Sequence, residues 1–116
     1  MCSLATKLGP IKMNNPICNA SGVYSRTSIE LYKMMFSHSG SFITKSSTFN
    51  PRNGNPTPSY WENNNISINS MGLPNHGYRY YTDFIEDLDK DEKHCFLSIA
   101  NIDNDETGKI LDYIAD

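Results

Sequence analysis

Gly40-Ser41-Phe42-Ile43-Thr44-Lys45-Ser46-Ser47 is the stretch on which the fold turns. Gly40 to Lys45, aromatic and β-branched at its centre, reads as a strand whose last residue is a lysine followed by hydroxyls. Upstream, Thr27-Ser28-Ile29-Glu30 satisfies the S/T-x-x-E capping box. Ile29, Leu31, Tyr32, Met35 and Phe36 then predict a helix with a broad apolar face, ended by Ser39-Gly40. Further upstream, Pro16 to Ala20 predicts a short buried strand running into Ser21-Gly22. Leu4 to Lys7 and Ile11 to Met13 predict a small hairpin about Gly9-Pro10.

Downstream, the prolines and glycine between Asn50 and Ser59 dictate an irregular loop, because proline lacks the donor a ladder needs. Tyr78, Tyr81, Phe84, Ile85 and Leu88 then recur at helical spacing, in a helix expected before a polar stretch through Lys93. Cys95 to Ala100 predicts a third buried strand, Asn101 to Asn104 offer caps, and Thr107, Ile110, Leu111 and Ile114 mark a third helix. This alternation is that of an α/β domain with a parallel sheet and helical crossovers. A closed (β/α)8 barrel takes about 250 residues. The 116 residues here therefore build either a small open sheet or part of something larger, and local pattern leaves both open.

A net charge of -3, with lysines and arginines scattered singly, gives no basic stripe for nucleic acid and no polybasic run for a membrane. No apolar run approaches the length of a bilayer crossing, and the Met1-Cys2-Ser3-Leu4 start lacks a charged-then-apolar leader, so the expectation is a cytoplasmic protein. Three cysteines, Cys2, Cys18 and Cys95, without C-x-x-C spacing, read as free thiols, and no metal site is expected.

In parallel α/β architectures the working site lies at the C-terminal ends of the strands. That rule gathers Ala20-Ser21-Gly22, Lys45-Ser46-Ser47 and the segment Ser67 to Asn75. An ammonium among hydroxyls and glycine-exposed backbone N–H groups suits an anionic or acceptor-rich heterocyclic ligand: phosphate, carboxylate or flavin. A solvated strand-end lysine at Lys45, and a plain Asn- and Gly-rich turn at Ser67 to Asn75, are the competing readings of the same residues.

Four segments in matching order, Asn19-Ala20-Ser21-Gly22, Thr44-Lys45-Ser46-Ser47-Thr48, Arg52-Asn53-Gly54-Asn55-Pro56 and Ser67-Ile68-Asn69-Ser70-Met71-Gly72-Leu73-Pro74-Asn75, resemble the soluble class 1 dihydroorotate dehydrogenases. The last is the most specific, and the likeness runs from about Asn15 to Ile114. The resemblance implies the N-terminal part of a (β/α)8 barrel preceded by a short hairpin, residues 1–116 being one incomplete domain. It implies flavin mononucleotide (FMN) lying against Ala20 and Ser21, with Ser46 supporting it and Lys45 bridging flavin and substrate. It further implies Asn69 reading the edge of the pyrimidine, Met71, Gly72 and Leu73 holding the substrate carboxylate through backbone N–H groups, and Lys45 and Ser70 among the substrate-binding residues. The implied reaction oxidises dihydroorotate to orotate in pyrimidine synthesis, with fumarate as acceptor and a homodimer as the assembly.

Two departures stand out. The family's proton-abstracting cysteine sits in an Asn-Leu-Ser-Cys-Pro-Asn segment that these residues lack, and Cys95 matches no such motif, so it reads as a buried structural thiol and no catalytic residue is assigned. Ser59 stands where the family usually has arginine, a lost charge expected to weaken loop anchoring or turnover and not the fold. An inert remnant or a small pyrimidine- or flavin-binding module is the alternative to a working oxidoreductase.

Overall fold

The computed structural model describes residues 3–88 and 93–116. An antiparallel hairpin opens the chain, β1 (Thr6–Leu8) paired with β2 (Ile11–Met13), and Gly9 supplies the left-handed backbone at its tip. Helix α1 (Ser28–Met35) follows its capping box: Thr27 Oγ1 accepts from Glu30 N–H, and the Glu30 carboxylate accepts from Thr27 N–H at 3.1 Å. The helix ends at Met35 with Phe36 as C-cap, ahead of the expected Ser39-Gly40.

The centre of the fold is the parallel pair of β3 (Phe42–Ile43) and β6 (Cys95–Phe96), joined by β4 (Tyr60–Glu62), β5 (Ser67–Asn69) and α2 (Tyr78–Glu86). Helix α3 (Asn104–Ala115) closes the order, capped by the Asp103 carboxylate accepting from Glu106 N–H at 2.9 Å. The α/β class and the parallel pairing thus match expectation, whereas both central strands are shorter than the sequence suggested. The interruption has a chemical cause. At the next rung Thr44 O is occupied by the Ser21 hydroxyl and Ser98 N–H is diverted to Thr44 Oγ1, so regular pairing breaks there. It resumes only as a single bridge between Ser47 and Ile99.

Pro16 to Ala20 is not a strand, and Ile17 and Cys18 are exposed. The Asn19 side chain takes the strand's place beside β3, accepting from Ile43 N–H at 2.9 Å and donating to Ile43 O at 3.0 Å. A side-chain amide carries the same donor and acceptor as a peptide, so one residue caps the edge without extended backbone. Gly40 lets this segment come close: a Cβ there would lie 1.8 Å from Asn15 O.

Leu31, Phe42, Tyr81 and Phe84 form the buried core. Two tyrosines fasten α2 to the start of α1, Tyr81 donating to Arg26 O at 2.9 Å and Tyr80 accepting from Ser28 N–H at 2.7 Å. The broad apolar face expected of α1 is only partly used. Leu31 is buried, but Ile29 and Phe36 are 69% and 75% exposed. Helix α2 ends at Glu86, and the polar stretch expected after it runs through residues 89–92, which lie outside the described ones.

The antiparallel hairpin of β4 and β5 was not expected. Cross-strand partners Trp61 and Ile68 share one face, while Tyr60 with Asn69 and Glu62 with Ser67 share the other. Among the described residues no helix is long and apolar enough to cross a membrane, and no cluster of metal-ligating side chains forms.

Candidate functional site

Three chain segments meet at the C-terminal ends of β3 and β6. Ser21 Oγ donates to Thr44 O at 2.8 Å and lies 2.9 Å from Ser46 Oγ, which lies 2.9 Å from Ser98 Oγ. Gly22 turns beneath them with φ +95°, and a Cβ there would approach Lys45 Nζ to 3.3 Å. The Lys45 ammonium has no hydrogen-bond or carboxylate partner among the described residues and is only half-buried. An unpaired cation beside half-buried hydroxyls, over a residue with no side chain, leaves room and charge for a ligand.

The second part is the strip from Asn69 to Leu73. The carbonyls of residues 70–73 are all taken: Asn55 Nδ2 donates to Ser70 O at 2.7 Å and Asn55 N–H to Met71 O at 2.9 Å. Arg52 Nε donates to Gly72 O at 3.4 Å, and Asn75 Nδ2 to Leu73 O at 3.0 Å. The N–H groups of Met71, Gly72 and Leu73 have no acceptor among the described residues. Gly72 and Leu73 are both left-handed, with φ +73° and +56°. Successive unpaired backbone donors in such a conformation make an anion-binding concavity. Gly72 is obligatory, since a Cβ there would lie 2.7 Å from Asn55 N.

The strand end and the strip are joined by a buried clasp. Asn75 Oδ1 accepts from Thr48 N–H at 3.2 Å and from Gly77 N–H at 2.8 Å, while Asn75 Nδ2 donates to Thr48 Oγ1 at 3.1 Å. Thus Ser21, Lys45 and Ser46 come together, and Ala20 stands exposed beside them. Asn69, Ser70, Met71, Gly72 and Leu73 form an exposed to half-buried group that the clasp ties to the end of β3.

Ser59 touches the strip twice: its carbonyl accepts from Ser70 N–H at 2.8 Å and its hydroxyl donates to Met71 Sδ at 3.4 Å. Cys95 lies against the core, and burial pushes its thiol up to about 12, which suits a packing role. His76 is exposed and lies against Tyr80, centroids 4.6 Å apart, and His38 is exposed with its carbonyl accepting from Asn15 Nδ2. Asn55, Asn75 and Ser98 are the residues that sequence reasoning passed over. Only Asn75 and Asn55 lay inside the recognised segments, and Ser98 carried no local signal.

Comparison with known proteins bears on this arrangement. The sequence model for "Dihydroorotate dehydrogenase" matches residues 3–116. The chain belongs to the dihydroorotate dehydrogenase family. It is 49% identical over 113 residues to a Streptococcus equi subsp. equi protein assigned as dihydroorotate dehydrogenase A (fumarate), covering 96% of this chain and 36% of that protein. A Streptococcus pyogenes serotype M3 protein with the same assignment is 46% identical over 116 residues, covering 98% of this chain and 37% of its own length. The chain therefore spans little more than a third of these relatives of the family. Among solved structures, the Eimeria tenella dihydroorotate dehydrogenase in complex with ferulenol superposes on 83% of this chain and 27% of its own, with TM-score 0.60 and 21% identity, a likeness of fold.

Proposed function

We propose that these residues form the first part of a (β/α)8 barrel that oxidises dihydroorotate to orotate in pyrimidine synthesis. The cofactor is FMN, fumarate is the acceptor, and the assembly is a homodimer. The observation that carries the reading is the strip 70–73, whose carbonyls are all engaged while three successive N–H groups have no acceptor among the described residues. Such a strip suits a carboxylate, the one anionic group of dihydroorotate.

The roles follow from this placement. The free N–H groups of Met71, Gly72 and Leu73 bind the substrate carboxylate. Ser70 aligns them through its bonds to Ser59 and Asn55. Asn69, on the polar face of the hairpin, offers an amide that matches the alternating donors and acceptors of the pyrimidine edge. Ala20, Ser21, Lys45 and Ser46 hold the flavin. The bare backbone at Gly22 and the small side chains at Ala20 and Ser21 accept a flat ring, so the residues present fit that group. When bound, FMN supplies the hydride acceptor. The Lys45 ammonium then balances negative charge on ring and carboxylate.

Proton removal from the substrate falls to a group other than Cys95, whose thiol is held neutral by burial. That same fact favours a second reading, a module that binds flavin or pyrimidine without turnover. The absorbance spectrum of the purified protein separates them. Flavin bands bleached by dihydroorotate support the dehydrogenase reading, bands unmoved by it support binding alone, and a colourless protein that takes up neither added FMN nor orotate overturns both.

A further inference from the structure

Asn53-Gly54 is the one Asn-Gly pair in the chain. Asn53 is exposed, and neither its side-chain amide nor the Gly54 N–H has a partner among the described residues. An asparagine amide followed by an unbonded N–H on a residue without a side chain is chemically labile. The neighbouring asparagines are placed differently. Asn50 and Asn55 precede prolines, which have no N–H to react, and the N–H that follows Asn69 is committed to Ser59 O at 2.8 Å.

The fold also demands glycine at 54. A Cβ there would lie 2.5 Å from Met71 O, the carbonyl that accepts from Asn55 N–H. The bare backbone that lets residues 52–55 meet residues 70–73 is therefore the same one that leaves Asn53 open to attack.

We propose that Asn53 is a self-modification site, converted to isoaspartate by its own backbone, and that the conversion loosens the strip 70–73. Gly54 N bonds to Asn53 Cγ, the Cγ–Nδ2 bond breaks, and ammonia leaves with the amide proton. Water then opens the cyclic imide. Where it cleaves at the Asn53 main-chain carbonyl, the chain runs on through the former side chain, one main-chain atom longer, and a carboxylate is left free. The extra atom falls in a span tied at both ends. Arg52 and Asn75 exchange two bonds of 2.9 Å, while Asn55 holds Met71 O and Ser70 O. The lengthened span cannot keep both ends in register, and the Asn55 bonds yield because Asn55 is exposed and Asn75 is buried.

The test incubates the folded protein at neutral pH beside Asn53→Gln, whose longer side chain closes the corresponding ring far more slowly. Peptide mapping with isoaspartyl methyltransferase labelling reads residue 53. Hydrogen exchange reads the Asn55 amide in the fraction that ion exchange separates by its added negative charge. The expected result is isoaspartate accumulating at residue 53 of the wild type, with the Asn55 amide of that fraction exchanging about tenfold faster. Asn53→Gln should show neither change. An Asn53 that stays intact in the folded protein overturns the proposal. So does isoaspartate at 53 with Asn55 exchange unchanged, or the same gain in exchange in incubated Asn53→Gln. Neither readout uses a ligand, so the outcome is independent of the function proposed above.

Discussion

Replacing Gly72 by alanine sets a small atom against a tightly made strip. The residue sits at φ +73°, where an L side chain costs roughly 1–2 kcal/mol. The new Cβ would also lie 2.7 Å from Asn55 N and 2.6 Å from Asn55 Oδ1. The amide oxygen can swing away, but the backbone nitrogen cannot do so without releasing Met71 O, and the swing itself loosens Ser70 O. Two hydrogen bonds at about 0.5–1.5 kcal/mol each bring the local cost to about 2–5 kcal/mol. None of it falls on Leu31, Phe42, Tyr81 or Phe84, so the fold survives and the free N–H groups lose their alignment. Orotate binding, followed by the fluorescence of Trp61 on the neighbouring strand, should weaken at least tenfold. Gly9→Ala is the control: it has a similar positive φ and no atom within 4 Å, and binding should be unchanged. Wild-type orotate affinity in Gly72→Ala would refute the assignment of the strip.

Asn75→Ala removes the buried clasp and leaves Thr48 N–H and Gly77 N–H without acceptors, a loss of about 3 kcal/mol or more that thermal unfolding will report as a lower midpoint. Gly40→Ala drives a Cβ into Asn15 O, and the expected outcome is insoluble protein or loss of protease resistance near residues 15–19. Cys95 gives a pH signature. Its thiol is raised from 9.0 to about 12, so keeping it neutral stabilises the fold fully below pH 9, and that stability is lost as pH rises from 9 toward 12. Urea midpoints of wild type should fall over that interval, and those of Cys95→Ala should fall less; parallel curves would contradict the burial argument.

Much of the fold was legible because its signals are local. The capping box at Thr27 to Glu30, the Gly9-Pro10 turn and the helical spacing from Tyr78 to Leu88 each depend on residues within a turn or two of one another. Misreadings arose where a side chain replaced backbone. Asn19 stands in for a strand, and Thr44 with Ser21 interrupts one, and hydropathy is blind to both. The β4–β5 hairpin escaped because three asparagines in a row mask a two-residue alternation. Of the site, the segments containing Lys45 and Gly72 were visible as sequence. What pairs with them was not, because Ser98 meets Ser46 from 52 residues away and the Asn55 side chain meets Ser70 from 15.

The mutual locking of residues 52–55 and 70–73 has a consequence for how this region can change over evolutionary time. The carbonyls of residues 70–72 are spaced by donors from Arg52 and Asn55, and Gly54 and Gly72 leave no room at the two closest approaches. Surface loops ordinarily gain and lose residues freely. Here an insertion in either segment would slide every donor off its carbonyl, so the two lengths are heritable only as a pair. The hairpin tip around Asn63 to Asn65, outside that lock, is where length variation between relatives should collect, and where a tag or a graft would be tolerated.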